Sequence, residues 1–102
     1  MTNEEISELI NRRRRQILVH SVIYYKFDDN IISDYTWSQW ALELHNLQQQ
    51  YPQIAANCVY ADEFKKFDPS TGFNLPLDDP WAVRKAHHLL SIRDKRVNGG
   101  TK

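Results

Sequence analysis

The chain has 102 residues, with 13 Lys and Arg against 13 Asp and Glu, 12% aromatic residues and a single cysteine. That length sets one domain, at the small end for a self-sufficient core, and the balanced charge excludes a global field drawing in nucleic acid or an anionic membrane. One cysteine, Cys58, excludes an internal disulfide framework, and with no signal-peptide pattern and no apolar run of bilayer length the expectation is a cytoplasmic protein, with no membrane partner.

Thr2-Asn3-Glu4-Glu5 has the form of a capping box, and its acids suit the positive end of a helix. Ile6, Leu9, Ile10, Ile17 and Ser21 or Val22 follow as a rough helical stripe, which predicts a helix from about Thr2 to Phe27. Arg12, Arg13, Arg14 and Arg15 interrupt the stripe. Neighbouring helical residues point about 100° apart, so the four cannot share one surface. At least one must lie along the packed side, its stem buried and its head at the edge. The bland reading is a solvated helix face; the sharper one is a phosphate or acidic-partner contact, since Arg presents a planar donor fork.

Asp28-Asp29-Asn30 stops this helix, and Ser33 or Asp34 caps a second that runs through Thr36 to about Gln50. Trp37, Trp40, Ala41, Leu44, Leu47 and Tyr51 recur at steps of three and four, one face of that helix. Pro52 ends it, because a residue before proline avoids the helical region. Gln53 to Asn57 reads as a link or ragged turn. Asn57 to Phe67 is expected to be a third, shorter helix with Cys58, Ala61, Phe64 and Phe67 inside. Asp68 to Gly72 is a turn cluster. Phe73, Leu75 and Leu77 alternate in an extended connection laid across the helices. Asp78 or Asp79 caps a last helix with Pro80 at its first position, its inner face made of Trp81, Ala82, Ala86, Leu89, Leu90 and Val97. Residues 98–102 are expected to be a tail. The sum is an all-α single domain over 1–97: an antiparallel helical hairpin, residues 2–52, with two further helices within 57–97 packed on it.

The run Tyr24-Tyr25-Lys26-Phe27-Asp28-Asp29-Asn30-Ile31-Ile32-Ser33-Asp34, followed by Trp37, Leu44, Leu47 and Tyr51-Pro52, resembles the N-terminal helical Ia subdomain of bacterial NAD-dependent DNA ligases. The likeness covers about Leu9 to Pro52. In that family the subdomain closes over the nicotinamide mononucleotide half of NAD. The resemblance therefore implies ligand contacts at Tyr24, which falls on the ring-contacting tyrosine, at Tyr25, at the turn aspartate Asp34, and at Trp37, where the family carries tyrosine. Ser38 stands where the family has an acid. That departure removes a carboxylate beside a cationic ring, a ligand that favours aromatic faces and negative charge; Asp34, with Asp28 and Asp29 close by, is left to supply it. The ligase's nucleophilic lysine context and zinc-binding cysteines are absent, so the chain is no ligase by itself. Free-standing proteins of this kind resemble small bacteriophage accessory proteins, which would place it in the bacterial host cell.

Other constellations are weaker. His20, His45, His87 and His88 show no His-x3-His step, so structural histidines are expected rather than metal ligands or bases. Trp37, Trp40 and Trp81 are expected in the core, with Trp37 and Tyr24 as the sharper alternative of a pocket. Phe64 to Phe67 interleaves charge with aromatics, a faint nucleic-acid signal that the zero net charge does not support. No nucleophile–base pair or phosphate-cradling glycine loop is present, which points away from an enzyme. Two functions follow. One is a phage-type accessory protein acting by protein–protein interaction on a host enzyme or defence system, with Arg12 to Arg15 as the contact. The other is a module binding NAD or nicotinamide mononucleotide, in which a homodimer could supply the opposite wall.

Overall fold

Thr2 starts the first helix by a reciprocal exchange: its hydroxyl accepts from the Glu5 N–H at 3.1 Å, and its own N–H donates to Glu5 Oε1 at 3.0 Å. The Thr2 N–H and, after it, the Thr2 hydroxyl hold the Glu5 carboxyl below its ordinary range. The structure, a computed structural model, describes the backbone of residues 1–99 and the side chains of residues 1–95. Helix α1 spans Asn3–Tyr25 and α2 spans Asp34–Gln50; α3 is a single turn, Pro52–Ala55, and α4 spans Pro80–Gly99. No strand occurs among the described residues, so the protein is all-α.

Helix α1 is the axis on which α2, α3 and α4 all pack. This explains its irregular stripe. Ile17, Leu18, Val19, Ser21, Val22 and Ile23 are all buried, which covers about two thirds of the helix circumference between Ile17 and Ile23. Cross-links between Arg13 and Glu43, His20 and Trp40, and Ser21 and Trp37 run in opposite directions along α1 and α2, so the two form an antiparallel hairpin. Ala41 and Leu44 of α2, Phe64, and Ala82 and Ala86 of α4 complete the core around Ile10 and Ile17. Each large aliphatic side chain there contributes about 1.5–3 kcal/mol by burial.

The bend between α1 and α2 is tightly specified. Helix α1 ends two residues earlier than the expected Phe27, with Lys26 N–H donating to Val22 O at 2.9 Å. Asp28 then takes a left-handed backbone (φ 51°), a conformation that a short polar side chain tolerates better than most. Ser33 caps α2 by accepting from the Thr36 N–H at 3.1 Å. Asp29 receives both Nη atoms of Arg93 on α4, each at 2.9 Å, and Arg93 also donates to Asn30 O at 3.0 Å. The bend is thereby bolted to the last helix. This fork pulls the Asp29 carboxyl down to about 2 and raises the Arg93 guanidinium.

The helix expected over Asn57 to Phe67 is not formed; the segment is a series of turns. Continuing α3 into this segment as helix would pair the Val59 N–H with the Ala55 carbonyl. Instead Asn11 Oδ1 accepts from Val59 N–H at 2.9 Å, and Ala55 O accepts from Arg14 Nη1 at 2.9 Å. Tyr60 adopts φ 57°, which no continuing helix allows. Its hydroxyl donates to Asp79 Oδ2 at 2.9 Å, and that same oxygen caps α4 by accepting from Ala82 N–H at 3.0 Å. Burial and the Asp79 partner push the Tyr60 hydroxyl up to about 12.

Four further expectations are corrected. Arg14 buries its head as well as its stem, with 2% of its surface exposed, because the turn after α3 offers it carbonyl oxygens. Trp81 lies at the edge of α4, 36% exposed, leaving Ala82 and Ala86 as its buried positions. Phe73 is 65% exposed and meets Tyr25 edge-on at 5.6 Å, while Leu75 alone of its alternating set is buried. Helix α4 continues through Gly99, past the start of the tail expected at 98–102. Gly100 to Lys102, and the side chain of Val97, lie outside the described residues.

Candidate ligand site at the helical bend

The last turn of α1 and the first turn of α2 face each other across the bend, and a pocket of about 220 Å³ opens between them. Steps of four along α1 place His20 and Tyr24 in one row and Ser21 and Tyr25 in the next. Asp34, Trp37 and Ser38 enter from α2, so all four residues implied by the ligase resemblance, Tyr24, Tyr25, Asp34 and Trp37, line this one pocket together with the departure Ser38. Ile31 and Ile32 of the bend close one side, and Ser70 reaches in from the later loop.

The lining residues differ in how free they are. Tyr24 is 53% exposed and stands perpendicular to the Tyr25 ring at 4.8 Å. The Tyr25 hydroxyl pairs with Thr71 Oγ1 at 3.0 Å, so this side chain is a fixed wall. Trp37 donates its Nε1–H to the buried Ser21 hydroxyl at 3.3 Å, which holds the indole against the floor. Gly72 presses on this pair from the opposite side. A Cβ there would overlap the Ser21 hydroxyl, 2.9 Å from Ser21 Cβ and 3.2 Å from Trp37 Cζ2. The sequence marks Gly72 only as a turn residue, with nothing to signal that contact.

Of the three acids near the bend, only Asp34 lines the pocket. Asp29 is committed to Arg93, and Asp28 faces elsewhere. Asp34 sits in the first turn of α2, where the helix dipole favours a carboxylate. His20 packs against Trp40 at 5.8 Å, and its Nδ1 is buried without a hydrogen-bond partner. The expectation of a satisfied structural histidine is thus corrected at that atom. Burial pushes the His20 imidazole below its ordinary range, because desolvation disfavours the charged ring.

The arginine run divides around the helix. Arg14 donates to Gln48 Oε1, Ala55 O and Val59 O and lies 5.8 Å from the Phe64 ring, wholly inside. Arg13 is half-buried, bonded to Glu43 at 2.9 Å and stacked 5.3 Å from Trp40. Arg12 and Arg15 are exposed, with Glu8 4.0 Å from Arg12. A contact surface built from all four is therefore excluded by the burial of Arg14; two remain outward. His87 and His88 are both exposed, and His87 rests on Phe27 at 4.5 Å. Cys58 is buried, with its thiol 3.2 Å from Ile54 O. No cluster of metal-ligating side chains occurs among the described residues, and none of their helices is long and apolar enough to cross a membrane. Comparison with family models, with curated proteins and with solved structures finds no match.

Proposed function

We propose that this chain is a non-catalytic binding module whose bend pocket takes a flat, cationic aromatic ring, the nicotinamide end of a mononucleotide or of NAD. The observation that carries the reading is the convergence of Tyr24, Trp37 and Asp34 on one pocket. Aromatic walls beside a carboxylate favour a cationic ring over a neutral one. The volume is smaller than the roughly 300–1,000 Å³ of pockets that enclose a whole drug-sized ligand, so the ring enters and the remainder lies outside. Titration calorimetry with nicotinamide mononucleotide and with its reduced form, whose ring is uncharged, tests this. The oxidised ligand binds and the reduced one binds more weakly, with Tyr24→Ala abolishing the difference. The absence of heat at millimolar concentration of either ligand rejects the reading.

A second reading is supported by the outward pair Arg12 and Arg15. Here the ligase-like hairpin is a scaffold, and the chain is a phage-type accessory protein that acts by protein–protein interaction on a host enzyme or defence factor. Its test is capture of a defined host protein by the tagged chain, repeated with Arg12→Glu and Arg15→Glu. An undiminished complex would remove those arginines from the interface.

A further inference from the structure

On the side of α1 away from α2 lies a groove between α1 and α4, about 420 Å³ in volume. Glu8, Arg12, Arg15 and Val19 form its wall on α1, each a step of three or four from the last; Trp81, Lys85 and Leu89 form the opposite wall at steps of four. The floor is apolar: Val19, Leu89 and the indole of Trp81, which is displaced from the core to this edge. The rim is cationic. Arg12, Arg15 and Lys85 are all exposed, against the single carboxylate of Glu8. Among the described residues, neither Arg15 nor Lys85 makes an ion pair.

We infer that this groove docks an acidic amphipathic helix of a partner protein, apolar side chains down on Trp81 and Leu89, carboxylates out to Arg12, Arg15 and Lys85. The inference rests on the interaction reading and gives its partner a chemistry. A phosphate chain would satisfy the rim but leave the apolar floor facing water. A neutral apolar segment would cover the floor and leave Arg15 and Lys85 without a counter-charge. An acidic amphipathic helix answers both. Length agrees as well: Glu8 to Val19 rises about 16 Å along α1, so the groove holds roughly three turns of a third helix.

The test uses a synthetic helical peptide of about 14 residues, leucines on one face and glutamates flanking them, and its twin with every glutamate changed to lysine. Labelled peptides are titrated by fluorescence anisotropy into the full chain. The acidic peptide is expected to bind about tenfold more tightly than its twin, and Arg15→Glu with Lys85→Glu is expected to reverse that order. Trp81→Ala is expected to weaken both, with the melting temperature of each variant showing that the fold is kept. Equal binding of the two peptides, no binding by either, or indifference to the charge reversal overturns the inference. Displacement of the acidic peptide by a short oligonucleotide at equal concentration overturns it in favour of a phosphate backbone. Self-association in sedimentation that Trp81→Ala abolishes overturns it in favour of a second copy of this chain. If both peptides fail while a captured partner still binds the charge-reversed chain, the groove assignment falls and the interaction reading stands on another face.

Discussion

Arg93 grips Asp29 with both Nη atoms at 2.9 Å, joining the bend between the first two helices to the last helix across 64 positions of sequence. A long-range fork of this kind sets the height of the bend on the bundle. The Asp29 carboxyl is held near 2, well below its ordinary 3.8, first by the Arg93 hydrogen bonds.

The sign of the pH dependence follows. The folded form binds the Asp29 proton less readily than the unfolded chain, so the contribution is full above about pH 4 and fades as pH falls toward 2. Chemical denaturation of the protein and of Asp29→Asn, measured from pH 7 to pH 2, is expected to show a constant gap that closes over that window. A gap that persists unchanged at pH 2 would assign the effect to packing instead.

Gly72→Ala is expected to destabilise by about 1–3 kcal/mol, the cost of forcing a methyl into a filled site. The clash is with Ser21, anchored mid-helix, and with Trp37, held by its bond to Ser21. Adding Ser21→Ala removes the nearest atom, so the double variant should lose less than the two single losses together. Equilibrium urea unfolding measures all three.

Arg14→Ala should cost about 2–4 kcal/mol, since it takes the donor from the Val59 carbonyl and Gln48 Oε1, leaves the Ala55 carbonyl with only the Cys58 N–H, and opens a cavity beside Phe64. Arg12→Ala, two positions earlier in the sequence but exposed, should fall within about 0.5 kcal/mol of the parent. The contrast between two neighbours in one arginine run is the measurement.

Ser38→Asp returns a second carboxylate to the bend pocket. Calorimetry should show oxidised nicotinamide mononucleotide binding about two- to fivefold more tightly, the range of a partly exposed ion pair, while the reduced form gains nothing. Equal gains for both forms would mean the added carboxylate acts on the ribose hydroxyls rather than the ring.

Local signals were fully legible in the sequence. The Thr2 capping box, the Ser33 cap, the stop at Tyr51-Pro52 and Pro80 opening the last helix all depend on neighbours within four residues, and all are in place. Tyr24, Tyr25, Asp34 and Trp37 come together because the hairpin alone brings them there. The segment from Asn57 to Phe67 departs from its expected helix for the complementary reason. Its helical pattern is real, but Asn11 and Arg14, more than 40 positions away, take the donor and the acceptor that a continuation of α3 would use. The outward shift of Trp81 has a similar origin, since two alanines on α4 let the helix sit close to α1 and leave no space for an indole between them.

The three tryptophans have come to rest in three unlike surroundings: Trp37 in the wall of the bend, Trp40 between Arg13 and His20, and Trp81 beside the α1–α4 groove. Each can be kept in turn while the other two are replaced by phenylalanine. The emission of the remaining indole then becomes a local optical reporter, and a ligand at one end of the molecule can be told from a ligand at the other without any added label.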